Sequence, residues 1–245
     1  MRAGVAALAG AALLAGCGED KREPPNRTTT STTAARQAPA PPPAPAAQPV
    51  RFKAADGQLV TGDYRPAGKD APAVVLLHEI RSGPDQWEPL ARYLHAAGFA
   101  TLAYQSRASA LESERLPDVL AAIRWLRRRP DVDPRRIGLV GASIGASTTV
   151  FAMATGARKT VDAAVALSPP DSSDIWALQG DGRYHPHDLL LVSDTRESSS
   201  AEGMLEGAAR SKAIRSRDAG HGVALLGEAG VRDALLAWLK ERVTR

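Results

Sequence analysis

The sequence predicts an α/β fold, in which a mainly parallel sheet is covered by helices on both faces. Two features indicate this class. Short continuous apolar runs recur along the chain, as is typical of strands buried on both faces. Segments with helical periodicity lie between several of these runs, and such alternation builds a parallel sheet whose crossover helices pack on it. The runs lie at residues 73–77, 99–104, 136–142, 161–167 and 189–192.

The remaining elements follow in order. Residues 50–54 and 59–64 flank an Asp-Gly turn and predict an antiparallel hairpin before the first parallel strand. Apolar residues with helical spacing predict helices over 85–97 and around 119–126, and Arg129-Pro130 ends the second. The same spacing in residues 231–239 predicts an amphipathic helix at the C-terminus.

The segment Gly141-Ala142-Ser143-Ile144-Gly145 joins an apolar strand to a small-residue helix. A strand that turns sharply into a helix through glycines is the context of a nucleophile elbow. Such a turn lifts Ser143 above the carboxyl end of the sheet, where the sites of parallel sheets lie. It also points the backbone N–H of Ile144 at the place where an oxyanion forms.

A base for this serine is predicted in the loop Gly220-His221-Gly222. A serine hydroxyl needs a base, and imidazole is the side chain suited to take its proton near neutral pH. His221 also follows the serine in the chain, as the order serine, acid, histidine requires.

These motifs, together with His78-Glu79-Ile80, resemble the α/β-hydrolase superfamily over about residues 50–245. The Glu-Ile pair and residues 129–138 are most similar to its dienelactone hydrolase-like branch. Dienelactone hydrolases proper have a cysteine nucleophile, so Ser143 favours a general carboxylesterase over a lactonase. The resemblance implies an α/β-hydrolase fold with little or no lid, a small-molecule ester as substrate, and acyl transfer to water without metal or organic cofactor.

The acid of the triad is expected just after the strand ending at Val192, in a stretch that departs from the family's usual Gly-x-x-Asp run. Aligning Asp194 with the glycine makes Glu197 the acid, whereas an acid directly after the strand would be Asp194. We favour Glu197, because either type of carboxylate can orient an imidazole. Asp171 and Asp174, after the preceding strand, are more distant candidates.

The second oxyanion donor is expected in the loop that follows residues 73–77. Many relatives have His-Gly there, and this chain has His78-Glu79-Ile80, so the backbone N–H of Ile80 is the candidate. Glu79 is expected either near Ser143, holding it in a resting rotamer, or as a structural residue of the loop.

The N-terminal region predicts export and a lipid anchor. Residues 1–16 combine a positive start with an apolar run too short to span a bilayer, as in a signal peptide. Leu14-Ala15-Gly16-Cys17 resembles a bacterial lipobox, which implies that Cys17 carries lipid and that the protein is anchored in the cell envelope. The alternative is an ordinary signal peptide followed by a chance cysteine. Residues 17–49 are rich in Thr, Ala and Pro and predict a disordered tether, which leaves residues 50–245 as the hydrolase domain.

The charge balance and the histidine pattern bear on two other classes of partner, nucleic acid and metal ions. The chain has 31 Lys and Arg against 27 Asp and Glu, and this near balance gives no reason to expect a nucleic-acid partner. His185 and His187 share a short polar loop, but no third ligand follows nearby, so no metal site is predicted.

Two alternatives remain open: a non-catalytic binding lipoprotein on the same fold, and a serine peptidase, for which no propeller domain or specificity loop is visible. The oligomeric state is also open.

Overall fold

A sheet of eight strands organises the protein in a computed structural model that describes residues 45–244, apart from the side chains of residues 198 and 199. The strand order is β1-β2-β4-β3-β5-β6-β7-β8. β1 and β2 form an antiparallel hairpin at one side, β2 is antiparallel to β4, and all further neighbours are parallel. The strands are β1 Gln48–Lys53, β2 Leu59–Arg65, β3 Ala71–Leu77, β4 Ala100–Tyr104, β5 Val132–Ala142, β6 Ala163–Leu167, β7 Leu189–Asp194 and β8 Lys212–Ser216.

Helices connect the parallel strands and cover both faces of the sheet. One buried apolar cluster joins the sheet to α2, α3 and α4, and a second joins the opposite face to α1 and α6. This arrangement confirms the predicted α/β class. The helices are α1 Glu88–Ala96, α2 Glu112–Leu126, α3 Ile144–Ala154, α4 Ser173–Gly180, α5 Ser198–Gly203 and α6 Ala229–Val243, with 3-10 helices at Pro84–Trp87 and Gly222–Gly227.

Three elements were not predicted from the sequence, namely α4, α5 and β8. The two helices are short, eight and six residues, and offer too few turns for a periodic pattern. β8 lies at the edge of the sheet, and all five of its residues are exposed or half-buried, so it lacks the continuous apolar run of the inner strands.

The expected signal peptide, Cys17 and the tether up to residue 44 lie outside the described residues. β1 begins at Gln48, two residues before the expected start of the domain. Between residues 45 and 244, every helix is too short or too polar to cross a bilayer.

Candidate active site

Ser143 occupies the turn between β5 and α3, in a backbone conformation that side chains rarely adopt. Its φ is 51° and its ψ is −122°, which costs of order 1–3 kcal/mol in a residue other than glycine. The surrounding packing holds the turn. A Cβ on Gly145 would lie 2.2 Å from the Leu77 carbonyl oxygen, and one on Gly141 would lie 2.1 Å from the Gly145 oxygen. Both glycines are therefore required by close approach of backbone to backbone.

The backbone N–H groups of Ile144 and Ile80, near this turn, have no hydrogen-bond acceptor within residues 45–244. Ile144 is the first residue of α3, where an N–H has no partner within the helix. Ile80 follows β3, whose last residue, Leu77, abuts Gly145. The loop after β3 therefore lies against the start of α3, as an oxyanion site built from both segments requires.

Buried His78 shapes the loop that contains Ile80. Its Nδ1 lies 2.7 Å from the Glu79 carbonyl oxygen, and its Nε2 accepts hydrogen bonds of 3.0 Å from Ser106 N and Gln105 Nε2. Burial lowers the pKa of His78, which favours the neutral ring with its proton on Nδ1. His78 thus joins this loop to the residues after β4.

His221 and Glu197 form the pair expected of a base and its acid. His221 Nδ1 lies 2.9 Å from Glu197 Oε1, and both side chains are partly exposed. Glu197 lies between β7 and α5, directly before the helix, whereas His221 lies between β8 and the 3-10 helix Gly222–Gly227. The contact leaves Nε2 of the imidazole as the nitrogen available to a serine.

Ser168, which the sequence did not single out, links this loop to the strand beside Ser143. Its Oγ accepts a hydrogen bond of 3.0 Å from Gly222 N, and the preceding residue, Leu167, accepts one of 2.9 Å from Ser143 N. Ser143 and His221 are thus tied to adjacent residues at the end of β6. No hydrogen bond joins Ser143 Oγ to His221 among the described residues; in sites without substrate this contact is often long.

Asp194, the alternative acid, makes other contacts. It is the last residue of β7, is 1% exposed, and accepts hydrogen bonds from Arg196 Nε at 2.8 Å and Ala219 N at 3.0 Å. The hydrogen bond from Arg196 holds its pKa well below the usual range. The carboxylate thus fixes the loop that carries His221. Asp174 is also engaged elsewhere, since its Oδ2 accepts a hydrogen bond from Ser113 N.

Of the two places expected for Glu79, the structure shows contacts with loop backbone and none with the serine hydroxyl. Its Oε1 accepts a hydrogen bond of 2.7 Å from Val223 N. A Cβ on Gly222 would lie 1.7 Å from the same oxygen. The carboxylate therefore supports the backbone just after His221, and no hydrogen bond joins it to Ser143 in the described chain.

A carboxylate that the sequence analysis did not single out lies behind the elbow. Glu112 is 3% exposed and accepts hydrogen bonds from Ser147 Oγ at 2.6 Å and Ser172 Oγ at 2.8 Å. It joins the starts of α2, α3 and α4. Acidic side chains are favoured in the first turn of any helix, so nothing in the sequence indicates that Glu112 is buried.

A cavity of about 390 Å³ opens beside Ile80 and is lined by three arginines, Arg81, Arg107 and Arg115. Arg107 is paired with Asp118 and Asp56. Arg115 is 3% exposed, and its Nε donates to the Ser109 carbonyl oxygen at 2.9 Å. No Asp or Glu of the described chain lines this cavity, and Arg81 and Arg115, which form no ion pair in that part of the chain, leave its walls with positive charge.

His185 and His187 follow α4. His187 Nδ1 lies 2.9 Å from Asp188 Oδ2, and its Nε2 lies 2.9 Å from the Arg158 carbonyl oxygen. Both ring nitrogens thus have protein partners. Within residues 45–244, no three His, Cys, Asp or Glu residues are grouped so that they could hold a metal ion.

Comparison with solved structures identifies the fold. The esterase Pf2001 of Pyrococcus furiosus superposes with a TM-score of 0.66 at 19% identity, covering 80% of this chain and 93% of that one. A dienelactone hydrolase from Anabaena variabilis superposes with a TM-score of 0.65 at 20% identity, covering 81% and 100%. The chain has the α/β-hydrolase fold.

Sequence relatives of this α/β-hydrolase-fold protein match only part of it. A family model described as the C-terminal part of BAAT and acyl-CoA thioester hydrolases matches residues 120–209. The thiohydrolase apmlB of Arthrinium phaeospermum is 31% identical over 145 residues, which are 50% of this chain and 43% of that protein. The chain thus spans less than half the length of the curated relatives it matches.

Proposed function

We propose that the protein is a serine hydrolase that cleaves carboxylic esters through an acyl-enzyme. The hydrogen bond of 2.9 Å between His221 Nδ1 and Glu197 Oε1 is the observation that carries the proposal. It leaves Nε2 free for a nucleophile, and Ser143, which lies in the strained turn typical of one, is tied to Leu167 as the His221 loop is tied to Ser168. Imidazole, carboxylate and serine then have the relation of a base, its orienting acid and a nucleophile.

The mechanism follows from these roles. Ser143 Oγ attacks the ester carbonyl while His221 Nε2 takes the hydroxyl proton, and the N–H groups of Ile144 and Ile80 stabilise the oxyanion. Each such donor typically contributes about 3 kcal/mol to transition-state stabilisation. His221 then gives its proton to the departing alcohol, leaving an acyl-serine. A water deprotonated by the same imidazole attacks this ester and releases the acid and free Ser143.

Thioesters are the second candidate substrate. The family model over residues 120–209 describes acyl-CoA thioester hydrolases, and one sequence relative is a thiohydrolase. The same triad serves either bond, because the attacked atom is an acyl carbon in both. The arginine-lined cavity beside Ile80 is a place for one part of the substrate, and its positive charge favours an acidic group there.

Labelling with a fluorophosphonate, followed by mass spectrometry and assays on p-nitrophenyl esters, matched thioesters and p-nitroanilides, tests the proposal. We expect the adduct on Ser143 and hydrolysis of esters or thioesters in preference to anilides. Ser143→Ala, His221→Ala and the double variant should fall to a similar activity, because the two residues act as a unit. A folded protein with unlabelled Ser143 and no hydrolysis of any of these substrates would instead favour a binding lipoprotein on this fold, and unchanged activity in Ser143→Ala would overturn Ser143 as the nucleophile.

We further propose that the hydrolase is exported and anchored to a bacterial membrane through lipid on Cys17, with the residues between Cys17 and β1 as the tether. The support is the sequence Leu14-Ala15-Gly16-Cys17 behind a short apolar run.

A further inference from the structure

Charge is distributed unevenly between the two edges of the parallel sheet. We call the edge where the parallel strands begin the N-terminal edge; Ser143 lies at the opposite edge, where β5 ends. The segments that form the N-terminal edge contain thirteen Lys and Arg against eight Asp and Glu, whereas the rest of the described chain contains twelve against sixteen. These segments are residues 66–71, 97–99, 127–136, 155–162, 181–188, 204–212 and 240–244.

Part of this positive charge has no neutralising partner. Arg158, Lys159 and Lys212 are exposed, and within residues 45–244 none forms an ion pair with a carboxylate. Arg210 and Arg242 lie near them and share the carboxylate of Asp188, and Arg242 also pairs with Glu241, so these five basic side chains face two carboxylates. The cluster therefore keeps an excess of positive charge at the surface.

The surface between these side chains is hollow. Two cavities of about 410 and 380 Å³ share Asp188, Arg210 and Arg242. Lys212 borders the first, and Arg158 and Lys159 border the second. Concave basic surface of this size can admit a phosphate-bearing headgroup between cations, which a flat surface cannot do.

The chain also enters the domain from this edge. Arg65 donates a hydrogen bond to the Pro45 carbonyl oxygen and pairs in the sheet with Thr101, the second residue of β4. The first described residue thus lies level with the start of the parallel strands. Pro45 comes 28 positions after Cys17, so a lipid at Cys17 would keep this edge within about 100 Å of the bilayer.

We propose that the N-terminal edge binds the anionic phospholipid headgroups of a membrane. A bilayer is the partner that meets both observations, since it presents many phosphates over a wide surface and lies at the end of the predicted tether. Binding in this orientation turns Ser143 and the cavity beside Ile80 away from the membrane. The proposal goes beyond ester hydrolysis, because the basic edge needs no catalysis to bind.

Co-sedimentation of the unlipidated mature chain, residues 18–245, with phosphatidylcholine vesicles containing 30% phosphatidylglycerol tests this proposal. We expect binding that is lost at high salt and is absent with pure phosphatidylcholine. Each basic residue close to an anionic bilayer typically strengthens binding roughly fivefold. Replacing Arg158, Lys159 and Lys212 together by Gln should therefore weaken binding at least tenfold.

The matched control replaces Arg51, Lys53 and Arg217 by Gln. These residues are also exposed and lie toward the opposite edge, so the control removes the same charge from the other side. It should bind vesicles within twofold of wild type. Equal loss in both triple variants, or no binding to anionic vesicles by wild type, would overturn the proposal. Binding is measured without substrate, so the result does not depend on ester hydrolysis.

Discussion

At the scale of single residues, two neighbouring carboxylates, Glu197 and Asp194, differ in their burial and in the groups they contact. Glu197 is partly exposed and contacts an imidazole, whereas Asp194, three residues earlier, is buried and accepts hydrogen bonds from Arg196 and Ala219. A carboxylate that orients a histidine must have an oxygen free to reach it. The two substitutions that remove these charges should therefore have separable effects.

We expect Glu197→Gln to lower kcat by roughly 10³-fold to 10⁴-fold with little change in Tm, because an amide favours the wrong imidazole tautomer. Asp194→Asn should mainly lower Tm, because the hydrogen bonds that fix the His221 loop are weakened. Ester assays and thermal unfolding of both variants check this. A collapse of kcat with unchanged Tm in Asp194→Asn alone would make Asp194 the acid, and loss in neither would point to Asp171 or Asp174.

Glu79 gives a second prediction at this scale. Since its carboxylate holds Val223 N, just after His221, Glu79→Ala should loosen the histidine loop and lower kcat about tenfold with a smaller change in KM. Glu79→Gln keeps an acceptor oxygen and should recover most of the loss. If Glu79→Gln and Glu79→Ala lower kcat equally, the charge of Glu79 matters and its role is not positioning of this loop.

At the scale of elements, the strand-turn-helix unit of β5 and α3 depends on glycines that admit no side chain. The clash at Gly145 is with backbone of β3, a central strand that cannot shift without disturbing the sheet. The same close approach brings the loop of Ile80 to the start of α3. The site is therefore built by packing between elements and not by the elbow alone.

Gly145→Ala should destabilise the fold by roughly 3 kcal/mol or more and abolish activity, since overpacking against backbone cannot relax. Gly180→Ala is the matched control: a Cβ there meets nothing within 4 Å, and alanine at the end of α4 should be neutral or slightly stabilising. Urea unfolding of the two variants measures the difference. Equal midpoints would refute the close approach at Gly145.

At the scale of the whole molecule, the two edges of the parallel sheet differ in the residues that they carry. The site lies at the carboxyl edge, and basic residues accumulate at the other edge, where helices end and cations are favoured near helix C-termini. The lipid anchor that we propose at Cys17 would hold the whole molecule at the membrane.

Cys17→Ser should release the protein from the membrane fraction of a bacterial host, because stable anchoring needs the acyl chains that this cysteine would carry. Fractionation at high salt measures the effect, since salt removes any attachment by the basic edge. Globomycin, which blocks lipoprotein signal cleavage, gives an independent readout as an unprocessed band. Wild type and variant found alike in the soluble fraction would refute the anchor.

The α/β class and the inner elements of the sheet could be predicted from the sequence. Buried parallel strands leave continuous apolar runs, and the elbow leaves a local pattern of small residues around Ser143. The sequence also predicted a histidine loop at His221 and a short list of acids. Each of these features depends on residues that are close in the chain.

Three features could not be predicted in this way: which carboxylate contacts His221, which group Glu79 contacts, and the contacts of Ser168 and Glu112 around the site. These contacts join residues 24 to 144 positions apart. Local sequence carries no record of such distances, because the same Glu or Ser serves equally well on an exposed loop. The contrast between the two edges of the sheet has the same origin: the charges are scattered through the chain, and the parallel strand order brings them together.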